Sequence, residues 1–310
     1  MNVLITGGAG FIGSHLVDRA LAEGASVRVL DNLSTGRVEN LEPFRERIEF
    51  LEADLLDDDA RERAVKDIEV VFHQAAIPSV PRSVDQPLES HLNGTHATLL
   101  LLETARQSKV RRFVFAASSA AYGENEALPK TEAMLPEPVS PYAATKVASE
   151  HYARAFAHCY DLDTVSLRYF NVFGPRQDPS SPYSGVIARF CQCFVRDEPV
   201  TIFGDGEQSR DFTYVTNAVE ANWLAAVAPH RLGGEALNVG CGDRVTLNHM
   251  LATLNELTGQ QRKATYGPPR AGDVRHSLAD LKRIRERLGY RPLVGFREGL
   301  AKTLEWYQDG

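Results

Sequence analysis

The sequence predicts an α/β fold, a doubly wound parallel sheet of Rossmann-like type with a smaller C-terminal substrate-binding lobe. Three observations predict it. Short runs rich in Val, Ile, Leu and Phe begin near residues 3, 26, 48, 69, 112 and 164. Most are followed by a segment whose apolar residues recur at helical spacing, so strand and helix alternate. The runs are apolar throughout, the pattern of strands covered on both faces. The third observation is a glycine-rich turn, Gly7-Gly8-Ala9-Gly10-Phe11-Ile12-Gly13, which follows the first run at once and opens a helix.

Val3 to Thr6 precedes a helix near 12–23, Val70 to His73 precedes one near 85–107, and Phe113 to Ala116 leads into the region of Pro141. Past Asn171 the pattern breaks up, with Gly174, Pro175, Pro179, Pro182 and Gly185 close together, and from Leu247 helical stretches alternate with loops. Residues 1–170 and 214–241 are therefore expected to form the dinucleotide-binding lobe, and 171–213 and 242–310 the substrate lobe.

Composition excludes several function classes. With 310 residues, 43% of them hydrophobic, the chain is long enough for a sizeable core. Its net charge of −7, without a basic run, offers no footprint for nucleic acid. Cys159, Cys191, Cys193 and Cys241 are too few for a disulfide scaffold, and Cys191/Cys193 lacks the two-residue gap and second pair of a zinc site. A reducing cytoplasm is the expected location, with no bound metal. The first apolar run starts at Val3 and breaks at Gly7, so neither a signal peptide nor a membrane span is expected.

The glycine-rich turn is placed to hold a dinucleotide. Absent side chains at Gly7, Gly10 and Gly13 let the backbone turn tightly and approach a pyrophosphate, whose charge faces the helix N-terminus around Phe11 and Ile12. Asp31 ends the second strand, 18 residues beyond Gly13, where a carboxylate accepts hydrogen bonds from the adenosine ribose. It would repel a 2′-phosphate, which favours NAD over NADP; the nearby Arg37 argues the other way. Asp54 and Leu55 close the third strand and border the adenine in one reading, while in another Asp54 caps the following helix.

Tyr142 and Lys146 lie four residues apart in a helical segment, one turn apart on one face. A free phenol titrates near pH 10, so a Tyr acting as a base near neutrality needs a cation close by, and Lys146 is the expected cation. Ser118 stands at the carboxyl end of a central strand, the edge at which open parallel sheets bind ligands, and is expected to orient the oxygen whose proton Tyr142 exchanges.

With these residues the chain resembles the extended short-chain dehydrogenase/reductase superfamily and, within it, the NAD-dependent nucleotide-sugar 4-epimerases. The resemblance runs through GGAGFIGSHL at the start, Asp31-Asn32-Leu33, HQAA at 73–76, SSAAYG at 118–123, YxxxK at 142–146, RYFNVFGPRQ at 168–177, GDGEQSRDF at 204–212 and RAGDVRHS at 270–277. It implies Ser118, Tyr142 and Lys146 as catalytic triad. It adds Asn32, Ala75 and Asn93 to the residues around NAD, with Tyr142 and Lys146 also touching the cofactor. It implies Asn171, Arg210, Arg270 and Asp273 as ligands of the UDP diphosphate, and Ser79, Ser119 and Ser277 as small residues near the hexose. Dehydratases of the superfamily carry an Asp and a Glu directly after the strand-end hydroxyl residue, and sugar-nucleotide decarboxylases a Glu at the second position. Here these are Ser119 and Ala120.

The resemblance thus implies inversion of C4 of a UDP-hexose through a 4-keto intermediate. In that family the residue at the place of Ser277 borders the sugar C2 substituent; a small one leaves room for an N-acetyl group, so UDP-N-acetylglucosamine and UDP-N-acetylgalactosamine are the expected substrates, alongside UDP-glucose and UDP-galactose. The competing readings are a UDP-uronic acid 4-epimerase, with Arg82 or Arg189 receiving the carboxylate, and a catalytically silent dinucleotide-sensing protein. A homodimer joined by a four-helix bundle is also implied, through helices near 88–107 and 142–158 bearing Leu92, Leu99, Leu102, Ala148, Tyr152 and Phe156.

Overall fold

The alternating strands and helices fold around one seven-stranded sheet in the computed structural model, which describes residues 1–178, 185–269 and 274–309. The chain begins β1 (Asn2–Thr6), α1 (Phe11–Ala22), β2 (Ser26–Asp31), β3 (Ile48–Glu52), α2 (Asp58–Val65) and β4 (Val70–His73). It continues α3 (Val80–Asp85), α4 (Pro87–His91), α5 (Ala97–Gln107), β5 (Arg112–Ser118), α6 (Pro141–Cys159), β6 (Asp163–Tyr169), β7 (Val172–Phe173), α7 (Val186–Val195), β8 (Val200–Phe203), β9 (Ser209–Arg210) and β10 (Thr213–Tyr214). Then follow α8 (Val215–Val227), β11 (Glu235–Val239), β12 (Val245–Thr246), α9 (Leu247–Thr258), β13 (Ala264–Gly267), α10 (Lys282–Leu288) and α11 (Phe296–Asp309).

The sheet order is β11-β6-β5-β4-β1-β2-β3, parallel throughout. The strands read as unbroken apolar runs because successive side chains enter two different cores. Val3, Ile5, Val29, Phe72 and Val114 pack with Leu16 and Val17 of α1 and Val219 of α8 on one face. Leu4, Leu30, Val71, Phe113 and Phe115 pack with Val65, Leu101, Leu102 and Phe156 on the other. The strand order reverses between β1 and β4, so a crevice opens beyond their carboxyl ends, where ligands of open α/β sheets bind.

One expected helix differs. The segment near 85–107 is broken: α3 ends at Asp85, Pro87 starts α4, Leu92–His96 forms a π turn, and α5 follows. Proline has no N–H to continue a helix but suits a first turn, so the break falls there. Helix α6, which carries Tyr142 and Lys146, has a well-made start, with the Ser140 hydroxyl accepting from Ala143 N at 3.2 Å and Pro141 in the first turn. Beyond the main sheet, β8 pairs with β13, β7 with β10 and β9 with β12. Among the described residues no helix is long and apolar enough to cross a membrane.

Candidate active site

The crevice is a cavity of about 700 Å³. Gly7, Gly10, Phe11, Ile12 and Gly13 line it at the start of α1. Here glycine is a steric requirement: a Cβ on Gly13 would come within 2.1 Å of the Gly7 carbonyl oxygen, and one on Gly7, whose φ is +70°, within 2.6 Å of Ala75 N. The loop therefore folds onto itself and onto the residue after β4, leaving the helix N-terminus open to an anion.

At one end the cavity is walled by Asp31, Asn32, Asp54 and Leu55. Asp31 accepts from Ala9 N and Leu33 N, both at 2.9 Å, one bond to each carboxylate oxygen. Each oxygen keeps accepting capacity for a hydroxyl, and burial pushes the carboxyl above its usual range. Asn32 donates to Asp54 Oδ2 at 2.7 Å, while Asp54 Oδ1 accepts from Leu56 N at 2.8 Å. The helix cap considered for Asp54 falls instead to Asp57, which accepts from Ala60 N. Arg37, the residue that argued for a 2′-phosphate, is engaged with Asp178 at 2.7 Å. Ala75 and Asn93 also line the cavity, Asn93 from the π turn, where it donates to Glu89 O at 3.0 Å.

Tyr142 and Lys146 line the other end. The Lys146 ammonium, 6.0 Å from the Tyr142 ring centroid, donates to Ala116 O of β5 at 2.7 Å and lies 4.9 Å from the Phe115 ring. Burial draws it down to about 8. The phenol moves opposite to the sequence expectation: burial raises its pKa, and the Ser118 hydroxyl is the group that counteracts this. Lys146 is thus held by the strand end, and without further positive charge Tyr142 stays a neutral phenol at neutral pH. Ser118 closes β5 and accepts from Ala120 N at 3.1 Å, so it caps the short 3-10 turn Ser119–Tyr122 as well as facing Tyr142. Ser119 sits half-buried in that turn.

The residues expected around a sugar nucleotide form two groups. Ser79 lines the cavity, where its hydroxyl accepts from Arg82 N at 3.1 Å and starts α3. Arg210 and Ser277 come together at β9: the Arg210 guanidinium donates to Ser209 O and Arg275 O, and Ser277 N donates to Ser209 O at 3.0 Å. Ser277 Oγ is buried without a hydrogen-bond partner among the described residues. It caps no helix, since α10 begins only at Lys282. Asn171 is exposed between β6 and β7, its carbonyl accepting from Thr213 N at 2.9 Å. Arg270 and Asp273 lie outside the described residues.

Sequence reasoning missed Gln74, Tyr169 and Arg176, which all line the cavity. Gln74 donates to Asn222 Oδ1 at 3.1 Å and accepts from Tyr169 OH at 3.2 Å, and Asn222 Nδ2 donates to that hydroxyl at 2.6 Å. This triangle fills the floor between β4 and β6. The available signal was position, because Gln74 follows β4 and Tyr169 ends β6 at the ligand edge of the sheet. Among the described residues no group of His, Cys, Asp and Glu could hold a metal ion.

An open helix N-terminus, the buried Asp31 carboxylate and Tyr142 thus lie along one continuous cavity, an arrangement that fits a dinucleotide. Comparison with known proteins agrees. A UDP-glucose 4-epimerase of Mycolicibacterium smegmatis is 41% identical, with 100% of this chain and 99% of that protein covered. The UDP-N-acetylglucosamine 4-epimerase of Methanobrevibacter ruminantium, solved with UDP-N-acetylmuramic acid, superposes with a TM-score of 0.95 at 41% identity, covering 99% of this chain and 98% of that one. The UDP-glucose 4-epimerase of Thermus thermophilus, solved with NAD, superposes with a TM-score of 0.91 at 40% identity, covering 99% of each chain. The family model described as NAD dependent epimerase/dehydratase family matches residues 3–240, and the chain belongs to that family.

Proposed function

We propose that the protein is a UDP-sugar 4-epimerase whose preferred substrates are UDP-N-acetylglucosamine and UDP-N-acetylgalactosamine, with the plain hexose pair also accepted. The observation that carries the reading is that Tyr142 and Lys146 line the dinucleotide cavity while the Ser118 hydroxyl hydrogen-bonds Tyr142 from the end of β5. Bound NAD supplies a hydride acceptor for sugar C4 and, in its oxidised form, positive charge. Tyr142 exchanges the proton of the sugar 4-hydroxyl, Ser118 orients that oxygen, and Lys146, pinned to Ala116 O, holds α6 against the strand end. The 4-keto sugar turns about its diphosphate link and is reduced from its other face, which inverts C4 with no net redox change.

Firm hold on the nucleotide and loose hold on the sugar are what such a turn requires. In this reading Arg210 is the charged anchor for the diphosphate, Asn171 a second ligand of it, and Ser79, Ser119 and Ser277 leave space around the hexose. The residues after Ser118 are Ser119 and Ala120, so neither the acid and base of a dehydratase nor the Glu of a decarboxylase stands there. The uronate reading is weakened by Arg82, whose Nε and Nη2 already reach the Glu89 carboxylate at 2.8 and 2.7 Å.

The protein is further read as a homodimer built on a four-helix bundle. Val84, Leu88, Leu92 and Tyr152 are 61%, 78%, 45% and 41% exposed along α3, α4, the π turn and α6, an apolar face that a second copy would cover. Leu102 and Phe156, expected in that face, belong instead to the chain's own core. One coupled assay of turnover with the N-acetylated, plain and uronic UDP-sugars tests the substrate assignment. Faster turnover of UDP-glucuronate than of any neutral sugar overturns it, and absence of both NAD and turnover makes the protein a silent sensor.

A further inference from the structure

The segment between β7 and the phosphate loop holds an unexplained cation. Arg176 lines the dinucleotide cavity, yet its Nη1 is buried and has no hydrogen-bond partner among the described residues. Its guanidinium lies 5.6 Å from the Phe44 ring centroid, and among the described residues no carboxylate forms an ion pair with it. The acidic group that acts on it is Asp18, on α1, without reaching ion-pair distance. A half-buried charge with one buried, unpaired nitrogen is costly unless something else completes its hydrogen bonds.

The backbone around it is constrained rather than slack. Arg176 has φ +65°, a left-handed conformation that a side chain of this kind adopts only where its surroundings impose it. Those surroundings are identifiable: the Pro175 carbonyl meets His15 Nε2 of α1 at 3.0 Å, the Gln177 carbonyl accepts from Tyr307 OH, and Asp178 pairs with Arg37. The three ties hold residues 175–178 in the cavity wall, two of them reaching α1 and Arg37, whose N–H donates to Ala9 O of the glycine-rich turn. The Gln177 side-chain oxygen is also buried and unpartnered on the same wall.

We propose that Arg176 is a second anchor for the dinucleotide, pairing with its pyrophosphate beside the glycine-rich turn. This rests on the reading of the cavity as an NAD site. A pyrophosphate is the anion such a ligand brings to the start of α1, and a planar guanidinium matches phosphate oxygens in the two-pronged way an ammonium does not. The constrained backbone keeps that fork in the wall of the same cavity that the start of α1 lines.

The test compares the wild type with Arg176→Met and Arg176→Lys for retention of NAD through gel filtration and for binding of NAD, ADP-ribose and adenosine. Arg176→Met is expected to weaken NAD and ADP-ribose by roughly 10- to 100-fold, the scale of charge-assisted bonds to phosphate, and to leave adenosine unchanged. Arg176→Lys is expected to recover part of the loss. Ligand-free Arg176→Met is expected to melt no lower than the wild type, because it removes a half-buried charge that has no ion-pair partner among the described residues. Unaltered NAD and ADP-ribose binding in Arg176→Met overturns the proposal, as does an equal loss of adenosine, which places the effect on the nucleoside or on the fold. If the wild type itself binds neither NAD nor ADP-ribose, the reading of the cavity fails with it.

Discussion

Glu150 and Arg168 form a buried two-pronged ion pair, with Nε and Nη2 of the arginine reaching the carboxylate at 2.9 and 2.6 Å. Glu150 lies four residues after Lys146 on α6, and Arg168 is on β6. The pair therefore fixes the helix that carries Tyr142 to the sheet that carries Ser118. Removing one partner strands the other charge in the core, at about 3–5 kcal/mol. Glu150→Ala should lower the melting temperature sharply, and Glu150→Met with Arg168→Met should recover much of the loss. Equal melting of Glu150→Ala and wild type in a thermal scan would show that the pair holds nothing.

Tyr142→Phe should reduce kcat by at least about 100-fold, the lower end of what a positioned proton-exchanging group contributes, while NAD content stays near that of the wild type. The split matters, because the ring still lines the cavity and only the hydroxyl is lost. Steady-state turnover and absorbance of extracted cofactor measure the two halves. Turnover within a few-fold of wild type would remove Tyr142 from the proton exchange.

How far the sequence reached can be traced residue by residue. Val3 to Thr6, the glycine-rich turn and Asp31 were legible because each rule involved is local: an unbroken apolar run, a turn that only Gly can make, a strand end at fixed spacing. Tyr142 and Lys146 were legible as a pair by helical periodicity. The destination of the Lys146 ammonium was not, because Ala116 O is 30 residues away and only the packed sheet brings it within 2.7 Å. The rise in the Tyr142 pKa had the same origin, since burial is a property of the assembled fold. Arg176 escaped notice because its significance lies in a missing partner, and a sequence cannot display an unmade hydrogen bond.

His73 makes stability depend on acid. Its ring bonds Thr6 Oγ1 at 2.7 Å and Thr98 Oγ1 at 3.0 Å, and burial, with Lys146 adding to it, lowers its pKa from 6.5 to about 3. A depressed folded pKa means the neutral ring is favoured by folding, so this contribution is full above pH 6.5 and is lost as pH falls toward 3. The loss is on the order of 5 kcal/mol across that window. His73→Gln keeps hydrogen-bonding capacity without the titration and should flatten the fall in melting temperature between pH 6.5 and 3. Parallel curves for variant and wild type would assign the acid sensitivity to other groups.

Under the proposed N-acetylhexosamine assignment, Ser277 is the position expected to set substrate size. Its backbone is tied to Ser209 O beside Arg210, the residue read as the diphosphate anchor, and its side chain is small and hydrogen-bonds nothing among the described residues. A larger side chain there must project into the space next to that anchor or displace β9. Ser277→Tyr should therefore clash with an acetamide on C2 and shift the ratio of kcat/KM toward UDP-glucose and UDP-galactose by on the order of 100-fold, the usual range of steric pocket effects. The ratio is the quantity to measure, because a general disturbance of β9 lowers both values and leaves it unmoved. A ratio that does not shift toward the plain sugars shows that Ser277 does not border the C2 substituent, and the preference for N-acetylated substrates then loses the residue on which it stands.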